Sequence, residues 1–192
     1  MKTLLISSMV TLAAMVGLQA EETTTITNVH LCCKGCILGA EKAVGTAQGV
    51  TVSANQDAGT LTLTGPDKAS LQRAANALVR AGYYGKSADS AVILKCDTGA
   101  QGKQVQSLDI EGVHLCCAKC AKAVERAVKS VPGVANQDAM KGVKKFTVSG
   151  DFNDKAVFEA LEKEGLAGKV AQVPESAPAN APIKVPAGTT ER

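Results

Sequence analysis

The sequence is poor in aromatic residues, which limits the kind of core it can build. It contains no tryptophan, two tyrosines and three phenylalanines among 192 residues. Hydrophobic residues still make up 45% of the chain, so its core must consist of valine, leucine, isoleucine and alanine. A chain of this length and composition forms either one larger domain or two small, simple ones.

The chain also lacks a strong excess of charge and the residue sets of common enzymes. Its 21 basic and 18 acidic residues give a formal net charge of +3, and the two signs alternate along the sequence. A nucleic-acid partner needs a concentrated basic face, so we expect none. Serine–histidine–aspartate sets, paired carboxylates and phosphate-binding glycine loops are missing, and we therefore expect no enzymatic activity.

Long apolar runs are scarce, and the one that stands out is at the N-terminus. Residues 1–20 place Lys2 before a hydrophobic stretch that ends in the small residue Ala20, as in a secretory signal peptide. A retained membrane anchor is the alternative, because the run is near the lower length limit for spanning a bilayer. Cleavage is favoured. It predicts an exported protein, in the periplasm, cell envelope or medium, without stable membrane insertion.

Cysteine is the residue whose distribution is most informative. Six of the seven cysteines lie in two heptapeptides, HLCCKGC beginning at His30 and HLCCAKC beginning at His114, which also contain both histidines of the chain. The odd total excludes complete pairing within one chain, and such crowding is unlike a disulfide scaffold. The seventh, Cys96, lies in an apolar run and is predicted to be a buried thiol.

The two heptapeptides belong to a longer internal duplication. An offset of 84 residues aligns the two histidines, all six clustered cysteines, Glu41 with Glu125 and Gly49 with Gly133. The repeated unit is about seventy residues long. The chain therefore consists of two copies of one module.

Each copy shows the same order of predicted elements. A β-rich segment, 24–31 or 107–115, leads into the cysteines, and a pattern typical of an amphipathic helix follows them. Two short strands, a second helix ending at Gly82 or Gly165 and a last strand complete the unit. The order βαββαβ predicts an α+β fold of two ferredoxin-like sandwiches, each with a four-stranded antiparallel sheet and two helices on one face.

These patterns also predict the domain organisation. The chain divides into a signal peptide, a first module, a strand extension with a loose linker, a second module and a disordered tail rich in proline and alanine. The predicted ranges are 1–20, 21–90, 91–105, 106–173 and 174–192.

A strand leading into a CxxC that opens a helix has a specific chemical consequence. Two thiols three residues apart converge on one ion, and the positive end of the helix dipole favours their thiolate form. Thiolates bind soft and borderline ions such as Cu(I), Zn(II), Cd(II) and Hg(II) far better than Mg(II) or Ca(II). Each module is thus predicted to hold a heavy metal ion.

With these motifs, each repeat resembles the heavy-metal-associated domain family, which includes copper chaperones, modules of copper-transporting ATPases and a periplasmic mercury-binding protein. The family motif Met-x-Cys-x-x-Cys reads LCCKGC and LCCAKC here, similar to the MCCxGC variant of plant metallochaperone-like proteins. The resemblance implies binding of Cu(I), with Zn(II), Cd(II) or Hg(II) as alternatives, and a metal-transporting or metal-accepting partner protein. It implies four ligands: Cys33, Cys36, Cys117 and Cys120.

Two departures from that motif bear on the choice of metal. Leucine replaces the motif methionine at Leu31 and Leu115, a volume-conserving change that preserves a packing role. The additional cysteine and histidine offer auxiliary ligands, since alternate residues of a strand point to the same side. Their participation would favour Zn(II) or Cd(II), because zinc takes about four ligands. The auxiliary candidates are Cys32, Cys116, His30 and His114, where the histidines are alternatively solvated strand residues.

The resemblance also implies that the loop after the second helix lies beside the metal loop. In the first copy this loop reads Gly82-Tyr83, and its ring would shield a bound ion from water, whereas the second copy has Gly165-Leu166. The two sites are therefore expected to differ in exposure and affinity. The sequence leaves open whether the modules work alone or share one metal through four cysteines.

Two other function classes remain compatible with the motifs. A CxxC at a helix N-terminus also serves extracytoplasmic thiol–disulfide exchange, although the usual preceding tryptophan is absent and a third adjacent thiol would interfere. The sandwiches could instead be scaffolds of a structural or interaction protein, which would be indifferent to loss of the cysteines. Haem attachment is excluded, because Ile37 and Ala121 stand where it requires histidine.

Overall fold

The computed structural model describes residues 20–171. The predicted signal peptide, apart from Ala20, and the predicted tail from 174 onward lie outside these residues. Within the described range, no helix combines the length and apolar character needed to cross a membrane.

The first module forms one antiparallel sheet with two helices. Its sheet order is β2-β3-β1-β4, with β1 in the centre beside β3. The predicted α+β architecture is observed, and its strand order is consistent with the ferredoxin-like expectation. The elements are β1 (Glu22–Thr27), α1 (Lys34–Val44), β2 (Thr51–Asn55), β3 (Thr60–Gly65), α2 (Lys68–Arg80) and β4 (Lys86–Ser87).

The second module repeats this arrangement. Its four strands pair antiparallel in the order β6-β7-β5-β8, the counterpart of the first sheet. The same sequence pattern thus gives the same topology twice. The elements are β5 (Gln104–Glu111), α3 (Ala118–Lys129), β6 (Val134–Gln137), β7 (Lys145–Asn153), α4 (Asp154–Lys163) and β8 (Lys169–Val170).

The second helix of the first module illustrates how local sequence fixes these elements. Asp67 caps α2 by accepting a hydrogen bond of 2.6 Å from the backbone N–H of Ser70. Leu71 and Leu78 lie on its buried face. The helix ends at Arg80, and Gly82 just beyond it has a φ of 89°, a conformation that favours glycine.

The strands that lead into the cysteines end earlier than predicted. β1 ends at Thr27, and Asn28 then adopts a left-handed φ of 59°, which breaks the strand. His30 therefore lies in a loop, so the prediction of a strand continuing through it was wrong. Leu31 and Leu115 are both 5% exposed, in agreement with their expected packing role.

The predicted strand extension after β4 is also absent. β4 comprises only Lys86–Ser87, and the described structure has no strand between it and β5. The side chain of Gln72 on α2 instead pairs with both backbone groups of Ile93, at 2.8 Å each. Val92 and Leu94 on either side are buried. The apolar run thus packs beside a helix, because a glutamine side chain satisfies backbone groups that a strand would otherwise have paired.

The segment predicted as a loose linker is bound to the second module. The buried carboxylate of Asp154 accepts hydrogen bonds of 2.9 Å from the backbone N–H groups of Gln101 and Lys103. Asn153 donates through its side chain to the carbonyl of Gly102 at 2.9 Å. The glycines in this segment suggested looseness, but these hydrogen bonds hold its backbone in place.

The two modules meet where their second helices end. Ala167 N–H donates to Gly82 O at 3.0 Å, and Tyr84 N–H donates to Gly165 O at 3.1 Å. A Cβ atom at either glycine would collide with backbone of the other module, so both crossings require glycine. Buried residues of both modules form one continuous hydrophobic core. The interface therefore fixes the two cysteine loops relative to each other.

Candidate metal centre

The cysteine loops use the same backbone geometry in both modules. Cys33 and Cys117 are the N-cap residues of α1 and α3, with extended φ angles of −163° and −150°. Neither side chain makes a capping hydrogen bond. Cys36 and Cys120 follow in the first helical turn. Both helices thus direct their positive ends toward thiols that are not engaged in capping.

The interface brings the two loops into direct contact. The Sγ atoms of Cys36 and Cys120 are 3.7 Å apart, although the residues are 84 positions apart in sequence. Four further cross-module sulfur pairs are 3.4 to 3.6 Å apart, among them Cys32 with Cys117 at 3.4 Å and Cys33 with Cys116 at 3.6 Å. All six predicted cysteines therefore belong to one group, which we call the six-sulfur cluster, rather than to two separate sites.

The cluster has a buried centre and a more open edge. Cys36 and Cys120 are fully buried, whereas the other four cysteines are partly exposed. The cluster is thus anchored in the protein interior while some of its sulfurs face solvent. All seven cysteines of the described chain are free thiols.

The two central thiols share protons. Hydrogen bonding from Cys120 lowers the pKa of Cys36, against the opposing effect of burial. The same hydrogen bond raises the pKa of Cys120, and burial adds to that increase. Because the two sulfurs are in contact at 3.7 Å, they titrate as a pair. One thiolate forms readily and is stabilised by neighbouring S–H donors, while the second proton is held.

The pKa values of the outer thiols also differ, since some are raised and one is lowered. Burial raises the pKa of Cys32 to about 12 and also raises the pKa of Cys116. Burial alone would raise the pKa of Cys117, but the nearby backbone N–H groups at the start of α3 and the Cys32 thiol outweigh it and lower the pKa to about 6. The metal-free cluster thus holds a mixture of thiols and thiolates, which a positive ion would convert to thiolates.

Tyr83 connects the first module to the second. Its hydroxyl donates to the carbonyl of Cys36 at 2.7 Å and lies 3.0 Å from Nε2 of His114. Since the tyrosine proton goes to the carbonyl, the histidine Nε2–H donates to the tyrosine oxygen. The two rings are stacked with centroids 4.5 Å apart. Tyr83, expected to shield a metal, thus also binds the partner module, and His114 is not a solvated strand residue.

His30 occupies the corresponding place in the first loop without such a partner. Leu166 stands at the position that corresponds to Tyr83 and offers no hydroxyl. Nε2 of His30 is buried and has no hydrogen-bond partner among residues 20–171. One ring nitrogen of His30 lies within 4.8 Å of the sulfurs of Cys32 and Cys120. Burial lowers the pKa of His30, which favours its neutral form, the form that can bind a metal.

The seventh cysteine stands apart from the cluster. Cys96 is half-buried, and burial raises its pKa to about 12. Nearby Glu162 also has a pKa raised by burial. Burial thus favours the protonated form of this thiol, and among the described residues its sulfur contacts none of the six clustered sulfurs.

The arrangement is suited to soft cations. Nine contacts of 3.4 to 3.8 Å join the six sulfurs to one another, so an ion among them would meet sulfur on several sides. Thiolate sulfur selects Cu(I) and Zn(II) over hard ions. The sequence identified all six sulfurs and both histidines. It gave no signal for the contact between Tyr83 and His114, which depends on how the modules dock.

The sequence of the second module matches a known family. Residues 107–167 match the heavy-metal-associated domain. Over 64 residues the chain is 39% identical to copper-transporting ATPase 2 of Rhizobium meliloti (strain 1021). That stretch is 32% of this chain and 8% of the ATPase, so the chain spans less than a tenth of that relative.

Two solved structures align with most of this chain, both at low TM-scores. The N-terminal soluble domains of Bacillus subtilis CopA are 19% identical, with 81% of this chain and 97% of that chain covered at a TM-score of 0.29. The first two RRM domains of the yeast poly(U)-binding protein Pub1 are 8% identical, with 78% and 98% covered at a TM-score of 0.23. The second module is thus similar in sequence to heavy-metal-associated domains, and heavy-metal binding is the activity that this similarity supports.

Proposed function

We propose that this protein is an exported Cu(I)-binding protein that captures the ion through its paired CxxC thiolates and then carries or sequesters it. The observation that carries the proposal is the junction of both cysteine loops in one six-sulfur cluster at two helix N-termini. Soft thiolates without hard oxygen ligands favour Cu(I) among the abundant metals.

The edge of the cluster supports a carrier role. Cys33 and Cys117 are partly exposed, so the thiolates of another protein can reach a bound ion and replace one ligand at a time. A metal-transporting or metal-accepting protein is therefore the expected partner. The similarity to part of a copper-transporting ATPase is in keeping with such a partner.

Two further parts of the proposal rest on the sequence. The first module is a second heavy-metal-associated domain, in keeping with the 84-residue offset and the equivalent sheet order. Export rests on the signal-like residues 1–20. N-terminal sequencing of the protein recovered from the cell envelope or medium tests it, with Glu21 expected as the first residue and Met1 as the contrary result.

Metal competition tests the function itself. The mature protein, purified reduced and without oxygen, is offered Cu(I), Zn(II) and Hg(II) together and weighed by mass spectrometry under non-denaturing conditions. We expect Cu(I) to be retained in preference to Zn(II). A variant with serine at all four CxxC positions should retain no copper, whereas Cys96→Ser should behave as the parent. Failure of the parent to retain any metal would overturn the proposal.

Thiol–disulfide exchange is the competing function that the close sulfurs favour. Neighbouring thiols at 3.4 to 3.8 Å could form a disulfide of about 2.05 Å after small rotations, while the disulfide of a partner protein accepts their two electrons and two protons and becomes two thiols. Counting the thiols of protein taken directly from the cell envelope separates the two functions. Reduced cysteines carrying copper support metal binding, and metal-free oxidised cysteines support exchange.

A further inference from the structure

From the positions of the sulfurs, we infer that the two modules together form a single polynuclear site in which six thiolates hold four Cu(I) ions. This inference rests on the proposed function, since it specifies how Cu(I) is held. It replaces two independent pairs of ligands with one cage shared across the interface.

The geometry of the sulfurs is the first argument. Nine Sγ···Sγ distances lie between 3.4 and 3.8 Å, and three more are within 4.8 Å. The three remaining pairs of sulfurs are not among these close pairs, and no residue occurs in more than one of them. Each sulfur therefore has four close neighbours and one distant partner, which is how the corners of an octahedron are connected. The opposite corners are Cys32 with Cys116, Cys33 with Cys120, and Cys36 with Cys117.

An octahedron of sulfurs offers triangles of ligands. Four alternate faces use every sulfur twice, so each thiolate would bridge two ions and each ion would have three ligands. The faces are Cys32/Cys33/Cys117, Cys33/Cys36/Cys116, Cys116/Cys117/Cys120 and Cys32/Cys36/Cys120.

The size of these triangles suits a metal ion. A bond of about 2.3 Å, the usual length from zinc to thiolate, places three ligands at the corners of a triangle with edges of about 4.0 Å. The nine short distances are only a few tenths of an ångström below this value. The sulfurs are therefore spaced for metal binding before any ion enters.

The same geometry disfavours tetrahedral zinc. A ZnS4 site needs four sulfurs that are all close to one another. Any four corners of an octahedron include at least one opposite pair, so no such set exists within the cluster. Three-coordinate Cu(I) uses the faces as they stand, which distinguishes the two ions on geometry alone.

Charge balance is consistent with the cage. Six thiols and four Cu(I) ions give a cluster of charge −2 and release six protons, or fewer where thiolates exist beforehand. The N-termini of α1 and α3 both point at this charge and stabilise it. One ring nitrogen of His30 lies within 4.8 Å of the sulfurs of Cys32 and Cys120, and Nε2 of this ring is buried without a partner among the described residues.

A titration of the full chain with Cu(I) tests the inference. The reduced, oxygen-free protein receives increments of Cu(I), and mass spectrometry under non-denaturing conditions counts the ions bound. We expect the chain with four ions to appear while metal-free chain is still present, because the triangles share edges and fill cooperatively.

The decisive variant is Cys32→Ser combined with Cys116→Ser. Each of the four triangles contains either Cys32 or Cys116, so the double variant removes one sulfur from every triangle. Both CxxC pairs remain intact. The shared cage predicts a fall from four ions to two or fewer. The matched control is Cys96→Ser, which also removes a partly buried thiol but leaves the cluster complete. Circular dichroism confirms that each variant is folded.

The outcomes separate this inference from the proposed function. Four ions in the parent and in Cys96→Ser, with loss in the double variant, support the cage. Two ions in all three proteins would overturn the cage and leave Cu(I) binding by independent CxxC pairs. No copper in the parent would overturn both.

Discussion

The sulfur of Cys36 lies 3.7 Å from the sulfur of Cys120, and both residues are fully buried at the interface between the modules. Each residue stands in the first turn of its own helix. The duplication thus has a structural consequence beyond two copies of a motif. It creates a centre to which both copies contribute equally.

Loss of one CxxC pair should affect metal bound to both modules. In Cys33→Ser with Cys36→Ser, three of the four triangles lose at least one sulfur, and Cys116/Cys117/Cys120 alone stays complete. We expect the copper content to fall by more than half, measured by elemental analysis after removal of loosely bound ions. A fall to half, with the second pair fully active, would indicate independent sites.

Alkylation should reveal which thiols the metal covers. With Cu(I) bound, iodoacetamide should modify Cys96 alone, and slowly, because burial raises the pKa of this thiol to about 12. Without metal, the cysteines of the cluster should react as well, with Cys117 early because its pKa is lowered to about 6. Peptide mass mapping reads out each site. Alkylation of Cys32 or Cys116 in the copper-loaded protein would contradict their role as ligands.

The tyrosine contact should contribute to the docking of the modules. Tyr83→Phe keeps the stacked ring but removes the hydroxyl that contacts Cys36 O and His114 Nε2. We expect the free energy of unfolding to fall by about 1–2 kcal/mol, because the histidine donor is left buried without a partner. Urea unfolding measures the change. Tyr84→Phe, at a half-buried ring, is the control and should cost less.

The interface glycines should be essential for the cluster. Gly82→Ala puts a Cβ into the backbone of Gly112 and His114, and it also carries the strain of a positive φ. Gly142→Ala is the matched control, since its φ of 81° imposes the same strain while nothing lies within 4 Å of its Cβ. Gly82→Ala should lose copper as well as stability, whereas the control should lose stability alone. Equal copper retention in both would show that docking does not support the cluster.

The segment between the modules should respond to pH through Asp154. Backbone N–H groups of Gln101 and Lys103, opposed by burial, hold the pKa of this carboxyl below its usual range. Its stabilisation is therefore present above about pH 4 and is lost as the pH falls through the lower folded-state pKa. Asp154→Asn should lose about 2 kcal/mol at pH 7. The difference in free energy of unfolding between this variant and the parent should become smaller at acid pH.

Asp151→Asn provides the comparison for that experiment. Asp151 is exposed, and its carboxylate accepts one long hydrogen bond, 3.4 Å from the side-chain nitrogen of Gln104. Its substitution should change the free energy of unfolding little at any pH. A deficit of Asp154→Asn that stays constant down to pH 3 would show that the carboxylate charge is not what holds the segment.

Much of the fold could be predicted because it depends on local patterns. The repeat offset, the helical spacing after the cysteines and the glycines that end α2 and α4 gave the element order in both modules. The errors came from single side chains that satisfy backbone groups at a distance. Gln72 pairs with Ile93 and removes the expected strand, while Asp154 fixes a segment that glycines had suggested was loose.

The motifs named six candidate ligands, because the spacing of the cysteines is local, and their role as ligands stays a prediction. The structure brings the six sulfurs together. Their convergence depends on the contact of Gly82 and Gly165 with the opposite module, which no periodicity encodes. The different roles of His30 and His114 likewise follow from Tyr83 facing one of them and Leu166 standing at the equivalent position for the other.

X-ray absorption at the copper edge distinguishes a shared cage from separate sites, because it reports the neighbours of each copper ion in the loaded full-length chain. A shared cage gives three sulfur ligands per copper and a distinct shell of scattering from other copper ions. Two sulfur ligands without any copper–copper scattering would contradict it.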